Sequence, residues 1–114
     1  MDKNTLLDQD DFAYEEVTIP EWGGKLLVRE LSGEGREEFE ALLVGDDGDH
    51  KNMVRALVTA WCLCGTDKVL MFDPRKDIAK LSRKPYRILR IVAEAVTNIS
   101  NTSAKALEDA EKNS

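Results

Sequence analysis

The pattern of apolar positions along the chain centres on residues 53–64, MVRALVTAWCLC. Apolar side chains would cover nearly the whole surface of a helix with this sequence, and only Arg55 and Thr59, one turn apart, mark a polar stripe. A helix that is apolar on almost every side normally packs against neighbours on several sides. The pattern therefore predicts a central helix, buried in the core, that stops near Gly65.

Two shorter runs near the N-terminus predict a β-hairpin. Residues 14–19 alternate, with Val17 and Ile19 on one face and polar residues on the other. The turn that follows, PEWGG at 20–24, has a proline that presets φ and two glycines that accept positive φ. Residues 25–31 then read as a second strand. Because a lone hairpin is marginally stable in water, helices must cover one of its faces.

Two further helices are predicted from their end signals. Ser32 is a plausible N-cap for a helix that ends at Gly45. Residues 73–74, an aspartate followed by a proline, indicate the start of a short helix that runs to about Leu81.

A last core helix begins at Pro85. Its buried stripe comprises Ile88, Leu89, Val92, Val96 and Ile99. Residues 98–103 are rich in Asn, Ser and Thr, which favour breaking or capping a helix, so we expect the helix to end there. The fold class is therefore α+β, an N-terminal antiparallel β-hairpin packed against a bundle of about four α-helices. We expect a flexible acidic N-terminus at 1–13, one domain at 14–103 and a C-terminal tail or linker at 104–114.

Composition narrows the possible partners. The 114 residues suit one domain, and their formal net charge is −6. Binding of nucleic acid through a generic phosphate-binding surface would require clustered Lys and Arg, so we expect no nucleic-acid partner. No apolar run approaches the ~20 residues of a membrane span, and the N-terminus lacks the apolar core of a signal peptide. Two cysteines only two residues apart suit a reducing cytoplasm.

The sequence patterns give little support for a metal site or a catalytic site. One conceivable zinc set comprises His50, Cys62, Cys64 and Asp67. Structural zinc sites usually repeat paired ligands, whereas here both cysteines lie on a predicted helix, where they point to different sides and suit buried, unpaired thiols. The acidic residues at 46, 47 and 49 resemble part of a calcium loop, but Leu57 stands where the closing Glu should be. We expect no metal, no cofactor and, without a paired catalytic constellation, no enzymatic activity.

Two features are candidate partner-binding sites. Trp22 either caps the open end of the core, which we favour, or anchors a partner, since Trp is enriched in interface hot spots. The basic cluster, defined as Arg83, Lys84, Arg87 and Arg90, is either a solvated face, again the favoured interpretation, or a docking surface. As a docking surface it would meet an acidic patch on a neighbouring copy or on another partner.

The order of these pieces resembles the tail assembly chaperones of long-tailed bacteriophages (siphoviruses), over residues 14–103. The segments that carry the resemblance are VTIPEWGGKLLVREL, SGEGREEFEAL, VRALVTAWCLCG, VLMFDPRKDIAKLS, and residues 87–100 with their closing Asn-Ile-Ser. One departure is visible at residues 65–67, Gly-Thr-Asp, where the family often has an Asp-Gly turn before the Phe.

The resemblance implies a non-enzymatic role in the host cytoplasm. Such proteins bind the long, helical tape measure protein, keep it soluble and recruit tail tube protein, and they are absent from the mature virion. We also expect a weak homo-oligomer that repeats along the tape measure protein. The alternative is a small acidic phage adaptor or inhibitor that binds a host factor. A tail tube gene and a very long tape measure gene beside this gene would favour the chaperone.

The resemblance also implies a frameshifted longer form of the chain as a partner. Residues 111–113, Glu-Lys-Asn, can be encoded GAA-AAA-AAC, which contains the slippery sequence A-AAA-AAC near the end of the short product. The same residues also suit an ordinary polar helix end. The nucleotide sequence decides between the two, because a GAG or AAG codon at 111 or 112 would remove the slip site.

Overall fold

The computed structural model describes the backbone of residues 2–44 and 51–112, and the side chains of residues 2–44 and 53–101. Its architecture is α+β, as predicted, with an antiparallel sheet packed against several helices. The elements in chain order are α1 (Lys3–Asp8), β1 (Tyr14–Ile19), a 3₁₀ turn (Pro20–Trp22), β2 (Gly24–Arg29), α2 (Gly33–Val44), α3 (Lys51–Cys62), β3 (Leu63–Cys64), α4 (Ile78–Leu81) and α5 (Tyr86–Lys112).

The predicted hairpin forms the greater part of the sheet. Strands β1 and β2 pair antiparallel, with Tyr14 opposite Arg29 and Ile19 opposite Gly24. The turn needs its glycines, because Gly23 and Gly24 have φ values of 98° and 101°, which residues with a Cβ rarely adopt. The predicted connection between the strands is therefore confirmed.

A third strand corrects the predicted end of the central helix. Helix α3 ends at Cys62, and the next two residues form β3, which places Cys64 opposite Leu27 of β2. Cys64 also forms an isolated antiparallel bridge with Leu70. The helical pattern continued through Cys64, but strand pairing with β2 satisfies these backbone groups instead.

Helix α3 is the centre of the core, and every residue from Ala56 to Cys64 is buried. This confirms the central helix but not its polar stripe, because Thr59 is fully buried. The Thr59 hydroxyl donates to the carbonyl oxygen of Arg55 at 2.8 Å. A threonine on a helix can therefore be buried in the protein core, because its hydroxyl donates a hydrogen bond to a carbonyl oxygen in the preceding turn of the same helix.

The helices after α3 differ from the prediction at their ends. Asp73 begins a turn rather than a helix: its carboxylate accepts hydrogen bonds from the backbone N–H groups of Arg75 and Lys76, and α4 starts only at Ile78. Helix α5 begins directly after Pro85, as predicted, but runs unbroken through 98–103 to Lys112. The predicted break is wrong: the helix passes through 98–103, and Ile99 within this stretch is buried.

Helices α1 and α2 have side-chain caps at their N-termini. Residues Lys3–Asp8 form a helical turn capped by Asp2, and all of them are exposed. The N-cap predicted for α2 is confirmed, since the Ser32 hydroxyl accepts a hydrogen bond from the N–H of Gly35 at 3.0 Å. The flexibility of 1–13 and the linker role of 104–114 stay predictions. No helix within the described residues is long and apolar enough to cross a membrane.

Candidate functional site

The basic cluster is solvent-exposed and only partly neutralised. Its first two residues lie in the loop between α4 and α5, and its last two lie on the first turns of α5. Arg87 approaches Glu21 at 3.4 Å, and Arg90 approaches Glu94 on its own helix at 3.4 Å. Such exposed pairs contribute little to stability, and the first two residues have no ion pair with any residue that the structure describes. The cluster therefore keeps positive charge available to a partner.

Acidic side chains are concentrated in the first half of the chain and basic side chains in the second half, which the net charge alone does not show. Residues 1–50 contain 15 acidic and 4 basic side chains, whereas residues 51–101 contain 10 basic and 4 acidic ones. On α2 the glutamates at 34, 37, 38 and 40 are all exposed. The molecule therefore carries an acidic helix and a basic cluster on different elements.

Trp22 lies where the core-capping interpretation places it. Its side chain is half-buried and packs edge-on against Phe72, with ring centroids 5.7 Å apart. It contacts both groups of buried side chains in the core. Since Glu21 on the same turn pairs with Arg87, Trp22 adjoins the basic cluster. A role for Trp22 as a partner anchor stays a prediction.

An apolar groove of about 480 Å³ lies between α2, α3 and α5. We call it the α2/α3/α5 groove. Its apolar lining includes Leu31, Phe39, Leu43, Val54, Val58 and Val96. Two arginines, Arg36 and Arg55, also line it, and among the lining residues that the structure describes there is no carboxylate. The size lies in the ~300–1,000 Å³ range of ligand sites, so the groove can accept several apolar side chains.

Sequence reasoning missed this groove because its residues come from distant parts of the chain. One signal existed on α2, where Phe39 and Leu43 are four residues apart and so share a face. Phe39 and Leu42, three residues apart, both pack against the core. With 59% of its surface exposed, Leu43 marks an apolar position that the fold of one chain leaves open.

The two cysteines are structural in this fold. Both are buried and free. Burial raises the pKa of Cys62 to about 12 and also raises the pKa of Cys64 above its ordinary value. Both thiols therefore stay protonated at neutral pH, which makes them poor ligands and nucleophiles.

The structure describes only part of the conceivable metal set. Within 2–44 and 53–101, no three His, Cys, Asp or Glu side chains are placed to hold a metal ion. His50 and the acidic residues at 46, 47 and 49 lie outside the described residues. The predictions that concern them are therefore untested.

Comparison with solved structures identifies the fold. The chain is similar to the bacteriophage HK97 tail assembly chaperone, with a TM-score of 0.66 over 82% of this chain and 94% of that chain, at 21% identity. The chain has the tail assembly chaperone fold. The resemblance noted from the sequence is thus confirmed for the fold. In this chain the fold comprises the hairpin, the buried α3 and the long α5.

Sequence comparisons add less. No family model matches the chain. A stretch of 95 residues is 32% identical to ABC transporter D family member 2 of Dictyostelium discoideum, which covers 81% of this chain. The chain spans only 12% of the length of that relative. The match therefore does not indicate that this chain has the activity of the transporter.

Proposed function

We propose that the chain is a tail assembly chaperone of a long-tailed bacteriophage, with no enzymatic activity. The observation that carries the proposal is the fold likeness to the HK97 tail assembly chaperone over most of both chains. In this role it binds the tape measure protein, keeps it soluble and recruits tail tube protein. It acts in the host cytoplasm, alongside a frameshifted longer form of itself, and is not part of the mature virion.

The physical properties of the chain suit this role. A long helical protein exposes apolar stripes until a tube encloses it, and large exposed apolar patches lead to aggregation. Small acidic domains bound along such a protein would cover those stripes and keep the complexes apart by charge repulsion, to which this chain contributes a formal −6. The same fold likeness favours the chaperone over an adaptor or inhibitor of a host factor.

We assign the basic cluster to contact between neighbouring copies. It would meet the glutamates of α2 on the next copy, since both groups of side chains are exposed and their charges are opposite. A contact of this kind is weak and sensitive to salt. Repeated along one tape measure protein, weak contacts would still give cumulative affinity.

The test is co-expression with the tape measure protein of the same phage. We expect the tape measure protein to move from the insoluble to the soluble fraction and to co-purify with the chain. The comparison variant is Trp61→Ala, which removes the largest side chain of α3 and should weaken the effect because it destabilises the fold. An equally insoluble tape measure protein with and without the folded chain would contradict the proposal.

A further inference from the structure

The two faces of the sheet are covered in different ways. Leu26 and Val28 of β2 point to the inner face, which packs against side chains of α3 and α5. Because side chains alternate along a strand, Leu27 and its register partner Cys64 point to the outer face of the sheet. Cys64 is nevertheless fully buried, so the outer face of the sheet must have a cover of its own.

Tyr14 supplies part of this cover. In the register of β1 and β2 it lies opposite Arg29, and the alternation along β2 places both on the outer face of the sheet. The Tyr14 hydroxyl donates a hydrogen bond to the Asp10 carboxylate at 2.8 Å, and the Lys68 ammonium lies 4.8 Å from the centroid of the ring. Burial raises the pKa of Tyr14 to about 12, with further contributions from Asp10 and from Cys64. The phenol therefore lies near the thiol.

Residues 10–14, which we call the strap, are also attached to the end of β2. The guanidinium carbon of Arg29 lies 4.4 Å from the centroid of the Phe12 ring. The N–H of Ala13 donates a hydrogen bond to the Glu30 carboxylate at 2.9 Å. The strap thus crosses the outer face of the sheet and is held there by polar and cation–π contacts.

These contacts are weaker than the apolar packing of the core. Asp10 and Lys68 are exposed, Phe12 is half-buried, and none of the six residues of α1, which lead into the strap, is buried. Hydrogen bonds and cation–π contacts at exposed sites are individually weak. A segment with few buried apolar contacts opens locally at a lower free energy than the core. The strap can therefore open while α3 and α5 stay packed.

The two cysteines distinguish local opening from unfolding of the whole domain. Cys62 is part of the buried apolar cluster formed by α3, α5 and the inner face of the sheet, whereas Cys64 is outside this cluster. Opening of the strap would uncover Cys64 and leave Cys62 protected. Unfolding of the core would uncover both thiols.

We propose that the strap opens and closes over the outer face of the sheet independently of the helical core, and that its closed form shields Cys64. Asp10 holds the strap closed through the Tyr14 hydroxyl, and Phe12 holds it through Arg29. In the open form the Cys64 thiol is accessible to thiol reagents. This conformational device goes beyond the proposed function and does not depend on it.

The first test measures alkylation of the two thiols by iodoacetamide in the full-length chain, with peptide mass spectrometry to assign the site. A thiolate displaces iodide and forms a thioether, so each event marks one cysteine permanently. We expect Cys64 to react roughly tenfold or more faster than Cys62, because opening of the strap needs less free energy than unfolding of the core. Equal rates at the two cysteines would overturn the proposal.

The second test releases the strap. Asp10→Ala/Phe12→Ala removes the carboxylate and the ring that hold it, and Cys64 should then react roughly tenfold or more faster than in the wild type, with the rate at Cys62 unchanged. Asp8→Ala removes an exposed aspartate of α1 outside the strap and is the matched control, which should behave as the wild type. An unchanged rate at Cys64, an equal rise at both cysteines, or the same rise with Asp8→Ala would overturn the proposal.

Hydrogen exchange of backbone amides provides a third test that needs no substitution. The N–H groups of Phe12 and Ala13 donate to the carboxylates of Asp10 and Glu30, at 3.2 Å and 2.9 Å. These two amides should exchange roughly tenfold or more faster than the amides of α3. Low concentrations of urea should leave their exchange unchanged and should accelerate exchange in α3. The same response to urea in both segments would overturn the proposal.

Discussion

Helices α2 and α3 have the same length of 12 residues and contact each other, but they serve different purposes. The residues of α3 from Ala56 onward are all buried, whereas Gly35 is the one buried residue of α2. At the end of α2, Leu43 and Val44 expose 59% and 82% of their surfaces. The difference indicates that α3 holds the fold together, whereas α2 leaves most of its side chains exposed.

Helix α2 lies close to α3 around the ring of Trp61. A Cβ on Gly35 would lie 3.2 Å from atoms of the Trp61 ring, so the two helices meet there at close range. Arg75 pairs with Glu34 and also lies over Trp61, 5.8 Å from the ring centroid. Substitutions in α3 should therefore change stability, and substitutions on the outer face of α2 should change association.

The largest effect is expected at Trp61, which is 5% exposed. Trp61→Ala should lower the free energy of unfolding by about 3–5 kcal/mol, because it leaves a cavity beneath α2. Urea unfolding measures this, with Trp22→Ala as the comparison. The half-buried Trp22 should cost less, and an unchanged midpoint for Trp61→Ala would contradict the central position of α3.

Gly35→Ala tests the close contact between the two helices. The added methyl group would lie 3.1 Å from Leu31 and 3.2 Å from Trp61. We expect a loss of about 1–3 kcal/mol in the free energy of unfolding, as in other overpacked sites. Gly33→Ala is the matched control, since it meets nothing within 4 Å and should be neutral or slightly stabilising. Equal stabilities of the two variants would show that α2 can move outward freely.

Alkaline pH should lower the free energy of unfolding, because the fold raises the pKa of Cys62 and of Tyr14. Burial raises the pKa of Cys62 from 9.0 to about 12, and burial followed by the hydrogen bond to Asp10 raises the pKa of Tyr14 from 10.0 to about 12. Because the folded state keeps protons that the unfolded state has released, this part of the stability is complete below about pH 9 and is lost between about pH 9 and 12.

Chemical unfolding at successive pH values measures this loss. Tyr14→Phe cannot ionise at this position, so it should lose less stability than the wild type between about pH 10 and 12. Over the same interval, Tyr86→Phe provides a control at an exposed tyrosine. A free energy of unfolding that stays constant up to pH 12 would contradict the raised pKa values of Cys62 and Tyr14.

The smallest effect on stability is expected at the basic cluster. Lys84→Glu should shift the free energy of unfolding by less than about 0.5 kcal/mol, because the residue is exposed. Self-association at low salt should nevertheless weaken. Lys25→Glu makes the same change of charge on β2 and is the control. Equal effects of the two substitutions on association would indicate a response to net charge and not to the cluster.

Part of the candidate site was predictable and part was not. The basic cluster is visible in the sequence because its four residues lie within eight positions of one another. The α2/α3/α5 groove was not, since Leu31, Val58 and Val96 come from separate elements. No local pattern states that three helices leave a gap between them. A gap of this kind depends on how closely the helices approach.

The sequence by itself determined the buried α3, the β1–β2 hairpin with its glycine turn, and the start of α5 after Pro85. These features follow from periodicity and backbone preferences within about a dozen residues, which do not need knowledge of distant neighbours. Tertiary structure alone decided that Leu63 and Cys64 join the sheet, that Thr59 is buried, and that α5 continues past 98–103. In the first two cases a contact with a distant element or with the core outweighed a weak local preference.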